Sequence, residues 1–161
     1  MKTAKSNGSK SERLTIWIDA DACPKAIKDL LFRTAQKREL KLILVANQTV
    51  YAPASQWISV LTVPQGADQA DDRIADHVQE NDIVVTGDIP LASRVIAKGA
   101  VVIGVRGELL DESSIGQALA ARNLMDYLRS SGLQTSGPSA LGPGDMQNFA
   151  NQLDRLLTRL T

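Results

Sequence analysis

An apolar, β-branched run, Leu14-Thr15-Ile16-Trp17-Ile18, ends abruptly in two carboxylates one residue apart, Asp19 and Asp21. Pro24 follows, and Ile27, Leu30, Leu31 and Ala35 then recur at helical spacing. Proline suits the first turn of a helix, where its missing N–H costs nothing. A strand of near-continuous apolar character is buried on both faces, as in a parallel sheet. In an open parallel sheet, ligands sit outside the carboxyl ends of the strands. Asp19 therefore falls where an α/β protein keeps its chemistry.

The same alternation continues along the chain. Leu42–Ala46, Ile58–Val63, Ile83–Thr86 and Val101–Val105 read as further strands, and Tyr51–Trp57 as a loop or short helix. Helical patterns cover Ala67–Gln79, Pro90–Lys98 and Ser114–Leu128, and a last helix begins with Asp145 as its cap. The expected fold is a three-layer α/β domain built on a parallel sheet. Residues 1–13 are polar and aperiodic and read as a disordered tail; residues 14–161 read as one domain. A Gly-, Pro- and Ser-rich loop, 130–144, leads to the C-terminal helix. Met146, Phe149, Leu153, Leu156, Leu157 and Leu160 form an apolar stripe on that helix. It must be buried on the domain or on another subunit, so a homo-oligomer formed through this helix is one expectation.

Composition narrows the partners. With 18 basic and 18 acidic residues, the formal net charge is zero. That is not the footprint of a strongly basic nucleic-acid binder. It leaves room for a nuclease, because catalytic carboxylates offset local basic patches. No apolar run approaches the length of a membrane span, and the polar N-terminus lacks the apolar region of a secretory signal. One cysteine makes no internal disulfide, which fits a reducing cytoplasm.

Asp19 and Asp21, one or more of Asp68, Asp71 and Asp72, and Asp88 are the carboxylates this order of elements sends toward one end of the sheet. Asp19 and Asp88 stand at the carboxyl ends of predicted strands. On a helical wheel Asp71 lies at the edge of the stripe Ala67, Ala70, Ile74 and Val78. Asp72 and Asp76 point further toward solvent. Clustered carboxylates repel one another, and some take up protons unless a cation joins them. Mg²⁺ or Mn²⁺ is the expected cofactor, because hard divalent cations prefer carboxylate and water oxygens. Such a site can hold a phosphodiester and sharpen a water nucleophile.

Other residues frame this set. Asn47 and Gln48 end the second strand and either contact substrate or satisfy loop backbone. Lys25 and Lys28, near a helix N-terminus, flank the acids and could steer a phosphate. Arg94 is a further phosphate candidate on an otherwise ordinary charged helix face. Cys23 sits at a helix start, a position that lowers a thiol pKa. Nothing in the sequence puts the one histidine, His77, beside it, so Cys23 is expected as a small buried thiol. Trp17 reads as core, while Tyr51 and Trp57 are either partly buried or free to stack on a base.

Asp19-Ala-Asp-Ala-Cys-Pro24, Val45-Ala-Asn-Gln48, Ala70-Asp-Asp72 and Val84-Val-Thr-Gly-Asp-Ile-Pro-Leu-Ala92 occur in this order. Ile115-Gly-Gln-Ala-Leu-Ala120, Gly137-Pro138 and Phe149 with Leu153-Asp154 follow. From Leu14 onward the chain resembles the YaiI/YqxD family of bacterial proteins, which is similar in turn to PIN-like nucleases. The resemblance implies a PIN-like α/β domain with an additional C-terminal helix. It also implies a Mg²⁺- or Mn²⁺-dependent site that hydrolyses RNA. The PIN-like pattern has an Asp after the first strand, here Asp19. A helical acid precedes an apolar residue by three, here Asp71 and Ile74. Thr-x-Asp follows the fourth strand, here Thr86-Gly87-Asp88. Asp19, Asp71 and Asp88 would then be the metal ligands, helped by Asp21 and Asp72, with Thr86 orienting Asp88 or a water.

Two other classes use similar carboxylates. A haloacid-dehalogenase-like phosphatase also begins with an apolar strand ending Asp-x-Asp, with Asp19 as nucleophile and Asp21 as acid. It wants Thr or Val where this chain has Cys23, and Ser or Thr where it has Asn47-Gln48. A response-regulator receiver wants a late strand-end Lys where this chain has Arg106. A non-catalytic RNA- or protein-binding module is the remaining alternative, its carboxylates holding a structural cation or none.

Overall fold

A computed structural model describes residues 13–66, 68–132 and 140–161. The elements run β1 (Thr15–Asp19), α1 (Lys25–Arg38), β2 (Lys41–Ala46), β3 (Ile58–Thr62), α2 (Gln69–His77), β4 (Ile83–Val85), α3 (Ile89–Ile96), β5 (Val101–Ile103), β6 (Leu109–Leu110), α4 (Glu112–Ser130) and α5 (Pro143–Leu160). A single 3₁₀ turn, Ala20–Ala22, joins β1 to α1. The strands form one six-stranded sheet in the order β3-β2-β1-β4-β5-β6. All neighbours are parallel except β5 and β6, which pair antiparallel. The chain builds outward from β1 to β3, then returns to the other side of β1 and builds outward again. The gap between the carboxyl ends of β1 and β4 is therefore the topological switch point, where open α/β sheets bind ligands.

Two cores cover the two faces of the sheet, as a three-layer α/β fold requires. Ile16 and Ile18 of β1 and Leu42 and Leu44 of β2 face Ile27, Leu31, Phe32 and Ala35 of α1. Phe149, Leu153, Leu156 and Leu157 of α5 complete that side. The apolar stripe of the C-terminal helix is thus buried within this chain. On the other face Trp17, Val45 and Val84 meet Ile74 and Ala75 of α2 and Leu91, Ala92 and Val95 of α3. Side chains alternate along a strand, so Asp19 projects to the same face as Trp17, toward α2. Among the described residues no helix is long and apolar enough to cross a membrane.

Several boundaries differ from the sequence expectation for identifiable reasons. Asp145 is not the cap of the last helix. Gly142 is the cap, and the Asp145 carboxylate accepts from the Gly142 N–H at 3.0 Å. Asp145 also pairs with Arg106 at 2.5 Å. Strand β5 stops at Ile103 because Gly104–Glu108 turns the chain into β6, a two-residue strand too short to leave a periodic signal. Gly107 has φ +90° in that turn, and a Cβ there would stand 2.5 Å from the Asn148 side chain of α5. The turn is thus shaped to receive the C-terminal helix. Tyr51–Trp57 is loop, not helix. The expected tail lies outside the described residues except for Arg13, as does 133–139 of the expected loop.

Helix α2 ends at His77, short of the expected Gln79, because the chain is captured by a buried carboxylate. Asp82 is 6 % exposed. It accepts from the Thr15 N–H at 3.0 Å, the Trp17 Nε1–H at 3.1 Å and the Gln79 N–H at 2.9 Å. One side chain thereby ties the start of β1, a core indole and the end of α2 to the start of β4.

Candidate functional site

Three elements bring carboxylates to the switch point. Asp19 ends β1; Asp88 leaves β4 and caps α3; Asp71 sits in the first turn of α2. Asp88 is held at both ends. Its N–H donates to the buried Thr86 hydroxyl at 3.0 Å, and its Oδ1 accepts from the Leu91 N–H at 2.9 Å. Pro90 suits the first turn that follows. Asp21 leans across the end of β2 and accepts from the Asn47 N–H at 2.8 Å.

The three carboxylates feel one another. Burial, with the charges of Asp21 and Asp88, holds the Asp19 carboxyl above its ordinary value. Asp71 is pushed up to about 6, first by burial and then by the charges of Asp88, Asp19 and Asp68, with a hydrogen bond to Asp88 adding to the rise. Asp19, Asp71 and Asp88 thus form one electrostatic unit, and Asp68 belongs to its field.

The donor set is of the kind a hard divalent cation prefers, and a cation would relieve the repulsion that adds to burial in raising Asp19 and Asp71. Among the described residues, no three His, Cys, Asp or Glu side chains are gathered tightly enough to close around a metal ion. The arrangement is an open, half-buried cluster, not a finished cage. Mg²⁺ suits such a place, because it keeps several waters and is commonly held by one or two carboxylates with substrate phosphate completing the shell.

The Asp71 shift has a consequence for the metal-free chain. Its folded pKa of about 6 lies above the unfolded value of 3.8. The folded state holds the proton more tightly, so this stabilisation is full below about pH 4 and is lost as pH rises through about 6. Asp71→Asn stays neutral and should melt higher than the parent at pH 7.5. The carboxyl is only half-buried, so screening limits the gain to about 1 kcal/mol, or about 2–4 °C. The difference should vanish near pH 3.5, as paired melts in chelator would check.

The other predicted residues divide. Asp72 turns away from the cluster and pairs with Arg94 at 2.8 Å. Lys25 is exposed and pairs with Asp29 at 2.8 Å. Lys28 is half-buried and close enough to draw down the Cys23 thiol, but burial dominates and pushes that thiol to about 12. Cys23 is inert packing, as expected. Asn47 is half-buried beside Asp21 and Gln48 is exposed. Tyr51 is 75 % exposed and meets Phe32 edge-on at 6.3 Å. Trp57 lies away from the acids, at the amino end of the sheet. Sequence reasoning missed Asp82, because an Asp before a strand reads as a turn residue.

A family model described as "Uncharacterized BCR, YaiI/YqxD family" matches residues 17–159. A UPF0178 protein of Maridesulfovibrio salexigens is 51% identical over 146 residues, covering 91% of this chain and 97% of its own. One from Herminiimonas arsenicoxydans is also 51% identical, over 91% of this chain and 98% of its own. A UPF0178 protein of Paucimonas lemoignei reaches 53% over 144 residues, 89% of this chain and 94% of its own. No solved structure matches the chain. The matched region contains the switch point, its three carboxylates and the C-terminal helix, and the chain belongs to the YaiI/YqxD family.

Proposed function

We propose that this protein is a metal-dependent phosphodiesterase of the PIN-like type, acting on RNA. The observation that carries the reading is the convergence of Asp19, Asp71 and Asp88 at the switch point, where burial and then mutual repulsion raise the pKa values of Asp19 and Asp71. Perturbed acids gathered at a switch point are candidates for a functional site on physical grounds. One or two of Asp19, Asp71 and Asp88 would hold Mg²⁺ or Mn²⁺, with water and substrate phosphate completing the shell. When bound, the cation supplies a sharpened water nucleophile and offsets charge on the phosphate oxygens.

The chain's own groups do the positioning. Thr86 and the Leu91 N–H fix Asp88, and Asn47 fixes Asp21. Arg94 can exchange Asp72 for a substrate phosphate at small cost, because exposed ion pairs contribute only about 0–1 kcal/mol. Lys28 of α1 and Asn47 and Gln48 after β2 would meet the substrate from that side.

The test is calorimetric titration of the full chain with Mn²⁺ and Mg²⁺, with single-stranded RNA cleavage run on the same samples. Saturable metal binding is expected, with cleavage that stops in chelator and returns with Mn²⁺. Failure to bind either metal at millimolar concentration would overturn the reading. RNA binding without cleavage in any divalent metal would favour the non-catalytic module.

A further inference from the structure

The acidic cluster leaves unused a concavity at the other end of α2. It measures about 600 Å³ and opens at the amino ends of β1 and β2, beside the start of β3. Small-molecule sites occupy about 300–1,000 Å³. Asp71 and His77 are six residues apart on α2, about 9 Å along the helix axis. The concavity therefore shares the cluster's sheet face but lies at the far end of that helix.

Three aromatic rings stand in its lining. Trp17 is buried, and its ring is fixed by the Nε1–H donated to Asp82. The His77 ring stands 6.5 Å from the Trp17 ring, tilted by 40°. Half-buried Trp57 lines the side nearest β3. The Asp82 carboxylate in the wall is already engaged by three N–H donors. By contrast, the side chains of Gln56, Gln79 and Lys41 have no partner among the described residues. Arg13 stands at the rim, donating to the Glu39 carbonyl.

We propose that this concavity binds a nucleotide, its base against Trp57 and His77 above the buried edge of Trp17, and its phosphate toward Lys41 and Arg13. Aromatic faces accept any base by stacking. Free glutamine amides offer the paired donor and acceptor that base edges require. The His77 ring is held at Nδ1 by the Arg73 carbonyl, 2.9 Å away, so little entropy is lost in using it. The ligand is either a free mononucleotide or one base of a strand, and the proposal does not depend on hydrolysis at the acidic cluster.

The chain contains two tryptophans, and both line this concavity. Intrinsic fluorescence therefore reports on it directly. The full chain, in chelator, would be titrated with uridine monophosphate, with a uridine hexanucleotide and with ribose 5-phosphate. Saturable quenching is expected with half-saturation below about 1 mM for a ligand carrying a base, and none for ribose 5-phosphate. Lys41→Glu, at an exposed position, should weaken binding at least about tenfold. Trp57→Leu should do the same, and Asp19→Asn should leave it unchanged. Quenching by the mononucleotide identifies a free-nucleotide site; quenching by the hexanucleotide alone identifies a strand subsite. The proposal is overturned by no saturable quenching with either, by equal quenching in Lys41→Glu, or by loss of quenching in Asp19→Asn.

Discussion

Asp88→Asn is expected to lower metal-dependent cleavage at least about 100-fold while moving the melting temperature by less than about 2 °C. The two effects separate because Asp88 has two jobs. As the cap of α3, its Oδ1 accepts from the Leu91 N–H at 2.9 Å. Asparagine caps a helix about as well as aspartate, so that bond survives. The contact with Thr86 is made by the main-chain N–H and is unaffected. What is lost is the negative charge. Asp19 and Asp71 would both ionise more easily, since Asp88 raises each of them. Asp88→Ala removes cap and charge together and should cost about 1 kcal/mol of stability besides. Cleavage rates, metal titration and melts of the two variants check this. Unimpaired cleavage by Asp88→Asn would take Asp88 out of the reacting centre.

Asp82→Ala is expected to cost about 3 kcal/mol, or about 6–12 °C in melting temperature, with no direct effect on the acidic cluster. Three donors lose their acceptor at once: Thr15 N–H, Trp17 Nε1–H and Gln79 N–H. A buried donor left unpaired costs about 1–3 kcal/mol. Thr15 is half-buried and water can reach it, so the three do not sum to the maximum. Asp82→Asn keeps one acceptor oxygen and should fall between the parent and Asp82→Ala. Denaturant unfolding followed by tryptophan emission would read both stability and the release of Trp17. A loss under about 1 kcal/mol would show that solvent replaces this clasp.

Much of this protein can be derived from local pattern. The apolar runs at Leu14–Ile18, Leu42–Ala46 and Ile83–Val85 name buried parallel strands, because only a sheet covered on both faces tolerates such runs. Asp19 follows one of those runs directly and Asp88 follows another after two residues, so their place at a strand's carboxyl end is a matter of chain continuity. The wheel position of Asp71, at the edge of the stripe through Ile74, points it toward the sheet. Family membership is carried by the same ordered motifs.

Tertiary structure alone decided the remainder. Strand order puts β1 beside β4, and only that adjacency makes Asp19 and Asp88 neighbours. Sequence periodicity records which face of a strand is apolar, not which strand lies next to it. The pairing of Asp72 with Arg94, which separates it from Asp71, depends on how α2 packs against α3. The work of Asp82 depends on three donors, two of them more than 60 residues away in the chain. The concavity beside Trp17 and Trp57 exists because α2 stops at His77 and leaves the amino end of the sheet uncovered. Each of these is a long-range contact between surfaces, and a one-dimensional pattern carries the chemistry of a surface but not the identity of what will face it.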